Sequence, residues 1–124
     1  PSPLDALKGV LNSTADLRLD NGRLSAERVA TLYGVPLSHL AQWMGRSKQA
    51  VGKTPDADSL QAPLGHLERI ARLRLLMKGD AEFRKWLRAT NSDLGGESPL
   101  DELALGKAPA LADWVEDILT GSPG

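Results

Sequence analysis

The chain of 124 residues has no cysteine, two histidines and only 4% aromatic residues. Without a thiol there is no disulfide framework and no thiolate chemistry. Neither His39 nor His66 has a second ligand-type side chain at metal spacing, so each reads as a surface or partly buried imidazole and no metal site is expected. So few rings also exclude a stacking platform for single-stranded nucleic acid. No apolar run approaches the ~18 residues of a membrane span, and no basic-then-apolar start reads as a secretory leader. A cytoplasmic protein with no membrane partner is expected. Nucleophile-elbow and phosphate-loop motifs are missing, and the acids read as exposed on helix faces, away from any dry pocket. We therefore expect no enzyme, no cofactor and no small-molecule substrate.

What is present is the composition of a soluble globular domain, with 41% hydrophobic and 25% charged residues. A chain this long buries roughly two-thirds of its unfolded surface. The net charge of −1 is unevenly spread: residues 23–54 carry +4 and residues 79–124 carry −5. A basic segment can meet phosphate where an acidic one cannot, so the split points to two partners of different charge unless it is incidental.

Hydrophobic periodicity predicts an all-α protein of about seven helices and no sheet. Ser2-Pro3-Leu4-Asp5 opens a helix with Leu4, Leu7 and Leu11 at helical spacing, and Asp20-Asn21-Gly22 marks a turn. Ser25 caps the next helix, stapled by Leu24 and Val29 and closed by Gly34. A third helix runs from Leu37 to Met44, and a short one lies between Arg46 and Thr54. A long helix marked by Leu60, Leu64, Leu67, Ala71 and Leu75, with Ile70, Leu73 and Leu76 widening its apolar face, is expected to form the core. Because Pro63 belongs in a first turn, that helix is expected to begin near Ala62. Asp80 is expected to cap a helix carrying Phe83, Trp86 and Leu87. After a loop from Thr90 to Glu97, Ser98-Pro99 starts another helix, and Pro109 starts the last. The expected organisation is an N-terminal helix and turn (1–22), a helix-turn-helix region (23–57) and a C-terminal helical domain (58–124).

A helix-turn-helix needs a small residue where its two helices cross, a glycine at the turn and a β-branched or aliphatic pin in the second helix. Ala41, Gly45 and Val51 stand at that spacing. The second helix would present Arg46, Ser47, Lys48, Gln49 and Lys53 to operator DNA, with Gln49 suited to an adenine edge and the lysines to phosphate. Gly52 weakens that helix, and Thr54 stands where an apolar residue would help. A helix-turn-helix used only for packing or dimerisation is the alternative.

From about Arg23 onward the chain resembles antitoxins of the Xre/MbcA/ParS group. The resemblance is carried by Lys53-Thr54-Pro55-Asp56 with Leu60, Phe83-Arg84-Lys85-Trp86-Leu87, Asn91, Leu94-Gly95-Gly96, Ser98-Pro99-Leu100, Leu103 and Gly106. It implies a C-terminal toxin-binding domain, a partner from the NAD-consuming RES-domain toxins or a related ADP-ribosylating group, homodimerisation, and repression of the pair's own promoter. The candidate toxin contacts lie on the last helix and tail: Asp113, Trp114, Glu116, Asp117, Gly121 and Ser122. The acids would suit a toxin surface built to bind the phosphates of NAD. Alternatively Leu111, Trp114 and Ile118 close the protein's own core and the acids form a solvated face. A stand-alone DNA-binding regulator whose C-terminal helices only dimerise, and a helical adaptor, are the competing functions.

Overall fold

The structure, a computed structural model, describes residues 2–121. Eight α-helices make up the described residues: α1 (Pro3–Asn12), α2 (Ala26–Tyr33), α3 (Leu37–Trp43), α4 (Lys48–Lys53), α5 (Asp58–Ala71), α6 (Asp80–Arg88), α7 (Pro99–Ala104) and α8 (Ala108–Thr120). Short 3₁₀ turns lie at Ala15–Leu17, Arg72–Leu76 and Ser92–Leu94. The fold is all-helical. The nearest approach to a sheet among the described residues is one antiparallel bridge, Arg18 with Leu24, which closes the chain around the turn at Gly22.

Local chemistry sets most helix ends. Ser2 and Ser98 each form a full capping box with the aspartate three residues on, and a proline occupies the first turn behind each. Ser25 and Ser47 cap α2 and α4 through their hydroxyls. One contiguous core joins the elements, with Tyr33, Leu40, Leu64, Leu67, Ile70, Phe83, Leu87 and Val115 fully enclosed. At its centre, α5 packs against both α2 and α8.

Three expectations are corrected here. The long helix starts at Asp58, not Ala62, so Pro63 lies inside it. The carbonyl of Ser59, which Pro63 cannot bond, accepts instead from the guanidinium of Arg46. The same helix tightens into a 3₁₀ turn at Arg72, which rotates Leu75 and Leu76 outward; they are 49% and 63% exposed rather than core residues. Asp80 does not cap α6: Gly79 occupies that position, and the Asp80 carboxylate accepts from Arg74.

Polar side chains join distant segments, some of them buried. Glu68 is almost enclosed, and its two carboxylate oxygens accept from Arg18 at 2.7 and 2.9 Å and from the Thr14 hydroxyl at 2.9 Å. Arg74 bridges Asp16, Asp80 and the carbonyl of Ser13. From α6, Arg84 donates to the carbonyls of Leu32 and Thr31, and Arg88 to those of Tyr33 and Gly34. The last turn of α2 thus has its orphan carbonyls satisfied by cations from another helix, as the helix dipole favours. Glycine suits position 34 on two counts: its φ is +69°, and a Cβ there would press on Arg84 Cδ at 3.1 Å.

All five aromatic rings of the chain form one connected line. Trp43 meets Tyr33 edge-on at 5.8 Å, Tyr33 meets Phe83 at 5.3 Å, Phe83 stacks near Trp86 at 6.0 Å, and Trp86 lies parallel to Trp114 at 6.3 Å. The Tyr33 hydroxyl donates to the carbonyl of Leu67 at 2.7 Å, and burial pushes its pKa well above the usual phenol value. The line runs from α3 through α2 and α6 to α8.

Candidate DNA and protein interfaces

In the segment from α3 to α4 two short helices pack on each other across a turn. Ala41 is buried where α4 crosses α3, Gly45 turns the chain at φ +70°, and Val51 is fully enclosed. Leu40 and Met44 are buried beside them, while Leu37 is only half-buried. The helix presented by this scaffold is short, the six residues Lys48–Lys53. Thr54 lies past its end as an exposed C-cap, so no core position is lost there.

The five expected DNA contacts divide by how they are held. Lys48, Gln49 and Lys53 are exposed on α4, and no described residue pairs with their side chains. Ser47 spends its hydroxyl on the Ala50 N–H at 3.1 Å, as a cap. Arg46 is exposed but braced, donating to the carbonyls of Met44 and Ser59. Arg23, which adds to the basic count of this segment, is also engaged, with Asp56 and Asp58. The free cations of the segment are therefore fewer than its sequence charge.

Of the six expected toxin contacts, the four on α8 fall on different faces. The buried stripe is Leu111, Ala112 and Val115, packed on α5. One flank carries Asp113 and Glu116, and both are ion-paired with Arg69 of α5 at 2.7 and 2.9 Å. The hydrogen bond to Asp113, reinforced by Glu116 and opposed by burial, pushes Arg69 above the usual guanidinium range. The opposite flank carries Trp114, Asp117 and Gly121 at intervals of three and four residues, with Ile118 among them. Trp114 is half-buried on Trp86, Asp117 is half-buried, Ile118 is 40% exposed, and Gly121 ends the helix at φ +71°. Ser122 lies outside the described residues.

Sequence reasoning thus left out Ile118 as a surface residue and Arg69 as the partner that neutralises two of the acids. Ile118 was visible at the edge of the apolar stripe, where period alone leaves a residue half in and half out. The residues of the loop before α7 are organised by Asn91, whose side chain accepts from the Asp93 N–H while its backbone bonds Glu97 and Gly96. Gly95 and Gly96 follow with φ of +68° and +86°, bringing the chain to the Ser98 cap.

Among the described residues no helix is long and apolar enough to cross a membrane, and no three His, Asp or Glu side chains gather where they could hold a metal. Comparison with family models, curated proteins and solved structures finds no match to the chain.

Proposed function

We propose that this chain is the antitoxin of a type II toxin–antitoxin pair, binding and neutralising a RES-type, NAD-consuming toxin and repressing its own promoter. The observation that carries the toxin-binding half is the outer flank of α8. A tryptophan half-buried on a second ring beside an exposed isoleucine suits the centre of a protein-binding patch, with the Asp117 carboxylate at its polar rim. Of the residues that carry the family resemblance, Trp86 lies against that flank through Trp114. Since Arg69 already neutralises Asp113 and Glu116, the contact made by α8 is chiefly apolar, with Asp117 supplying the charge.

The exposed side chains of Lys48, Gln49 and Lys53 favour operator binding as the second activity, and they equally support a stand-alone regulator. Co-expression with the toxin encoded beside this gene separates the readings. Ile118→Glu should release toxin activity while leaving operator binding in place. The Lys48→Ala, Gln49→Ala double variant should lose operator binding and keep neutralisation. An intact chain that leaves the neighbouring toxin fully active and forms no complex with it ends the antitoxin reading.

A further inference from the structure

We propose that the cleft between the α3–α4 turn, α5 and the start of α8 is a binding site for a small planar monoanion, an aromatic carboxylate of one or two fused rings. The inference rests on this cleft alone and holds whether or not the antitoxin reading does. Its volume is about 320 Å³, at the lower end of the cavities that hold small organic ligands. Three stretches of chain far apart in sequence meet there: Trp43 and Arg46 from the first, Pro63 and His66 from α5, and Ala108 and Pro109 from the first turn of α8. The two prolines, Met44 and Leu67 give it apolar walls. Trp43 is half-buried, and Tyr33 meets it edge-on at 5.8 Å, which fixes the indole from the core side.

Small-ligand sites hold an apolar body between such walls and orient it with a few polar groups. Here those groups are Arg46 and His66. The Arg46 guanidinium joins the carbonyl of Met44, in the wall, to that of Ser59, one turn of α5 before Pro63. It therefore stands at the rim of the cleft with two of its five N–H groups used and three left for a ligand. Because the two carbonyls already brace it, little ordering remains for binding to oppose. The His66 side chain has no hydrogen-bond partner among the described residues; its Nδ1 is enclosed and its Nε2 is not. An enclosed lone pair is better tolerated than an enclosed N–H, so the neutral ring carries its proton on Nε2, the accessible side, as a second donor.

Charge selects the class of ligand. Arg46 is the one permanent charge in the wall, and no carboxylate of the described residues lines the cleft. A monoanion is matched charge for charge, and a planar carboxylate takes two parallel N–H bonds from a guanidinium. A phosphate dianion would leave one charge uncompensated beside apolar walls, and a neutral ring would leave the guanidinium unmatched. A cavity of similar size, about 310 Å³, lies beside α2 and lacks this selectivity. Arg28 and Arg84 share its wall with Asp16, Glu27 and Asp80, so the acids outnumber the arginines and an anion is repelled.

Naphthoate is a suitable probe, with naphthamide as its neutral isostere and acetate as the anion without a ring. Titrated into the isotope-labelled full chain, naphthoate should shift the indole N–H signal of Trp43, one of three in the spectrum and assigned by its loss in Trp43→Phe. The shift should saturate with a dissociation constant of about 1 mM or tighter, and naphthamide and acetate should each bind at least about tenfold more weakly. Arg46→Gln should weaken naphthoate by about tenfold. Ala62→Phe, a change at an exposed position in the wall, should fill the cleft and abolish binding while the spectrum stays that of a folded chain. The proposal is overturned by a Trp43 signal that does not move at roughly ten times that concentration. It is equally overturned by naphthamide binding as tightly as naphthoate, or by Arg46→Gln or Ala62→Phe binding like the parent chain. A saturable shift confined to Trp86 and Trp114 also sinks it, since the ligand then sits on the flank of α8.

Discussion

Arg46 donates to the carbonyl oxygen of Ser59 at 3.4 Å, four residues before Pro63 in α5. A residue expected to contact DNA is thereby also a donor to the carbonyl that the proline inside the central helix leaves unbonded. Arg46→Ala should cost about 1 kcal/mol of stability in a denaturant titration. In a Pro63→Ala background the same change should cost less, because the backbone N–H restored at position 63 can bond the Ser59 carbonyl. Equal costs in the two backgrounds would show that the brace contributes nothing.

Arg84 and Arg88 hold the end of α2 from α6. Arg84→Ala should lower stability by about 2 kcal/mol, since it removes charge-assisted bonds to two carbonyls. Arg84→Lys should not restore it, because one ammonium cannot copy the forked geometry. Thermal melts that rank lysine with arginine would refute this.

Removing the partner of Glu68 leaves a nearly enclosed carboxylate with only the Thr14 hydroxyl to bond it. Arg18→Met should therefore destabilise by about 2 kcal/mol, less than a fully buried pair would lose because Arg18 is itself partly exposed. Adding Glu68→Gln should recover part of the loss. A double variant no better than Arg18→Met alone would argue that the arginine acts by packing.

Gly52 has an ordinary helical backbone, and a Cβ there would lie 3.9 Å from Leu37 Cδ2, normal contact distance. Gly52→Ala should stabilise the protein by about 0.5–1 kcal/mol. The glycine is a cost of α4, not a requirement of its packing. A fall in the unfolding midpoint would mean that α4 is more tightly confined than this distance implies.

Two carboxyls give the acid dependence. Asp16 is held below its ordinary value of 3.8, chiefly by hydrogen bonds from Arg74, and Asp101 by the backbone N–H of Ser98. Because both are lowered on folding, their contribution is present above about pH 4 and is lost as pH falls through the folded values. Melting temperature should be level between about pH 5 and 8 and fall below about 4. Asp16→Asn should make that fall shallower while costing about 1 kcal/mol at neutral pH, since the Asp16 carboxylate is half exposed although Arg74 is largely enclosed.

Helix number, most caps and most of the core were legible in the sequence because they depend on neighbours. Ser25, Gly34 and Ser98 act within a few residues of themselves, and the leucine spacing of α5 records one buried face. What sequence could not reveal is long-range partnership. Nothing near Pro63 announces that Arg46 will serve Ser59, nothing near Asp113 announces Arg69, and Asp80 looks like a cap until Arg74 is beside it. The leucines of α1 read as an ordinary amphipathic stripe, because period alone does not say whether a body lies under it. The same holds at the candidate interfaces: the residue types on α4 and α8 were readable, but which charges are free was not.

The line of five rings has a practical consequence for anyone studying this protein in solution. Every chromophore that absorbs in the near ultraviolet lies along the path from α3 to α8. Excitation of Tyr33 drains into a neighbouring indole, and the parallel pair Trp86 and Trp114 stands at the end of the path. Near-ultraviolet circular dichroism and tryptophan emission therefore record one thing, the packing of α2 and α3 against α6 and α8, with no background from elsewhere in the molecule.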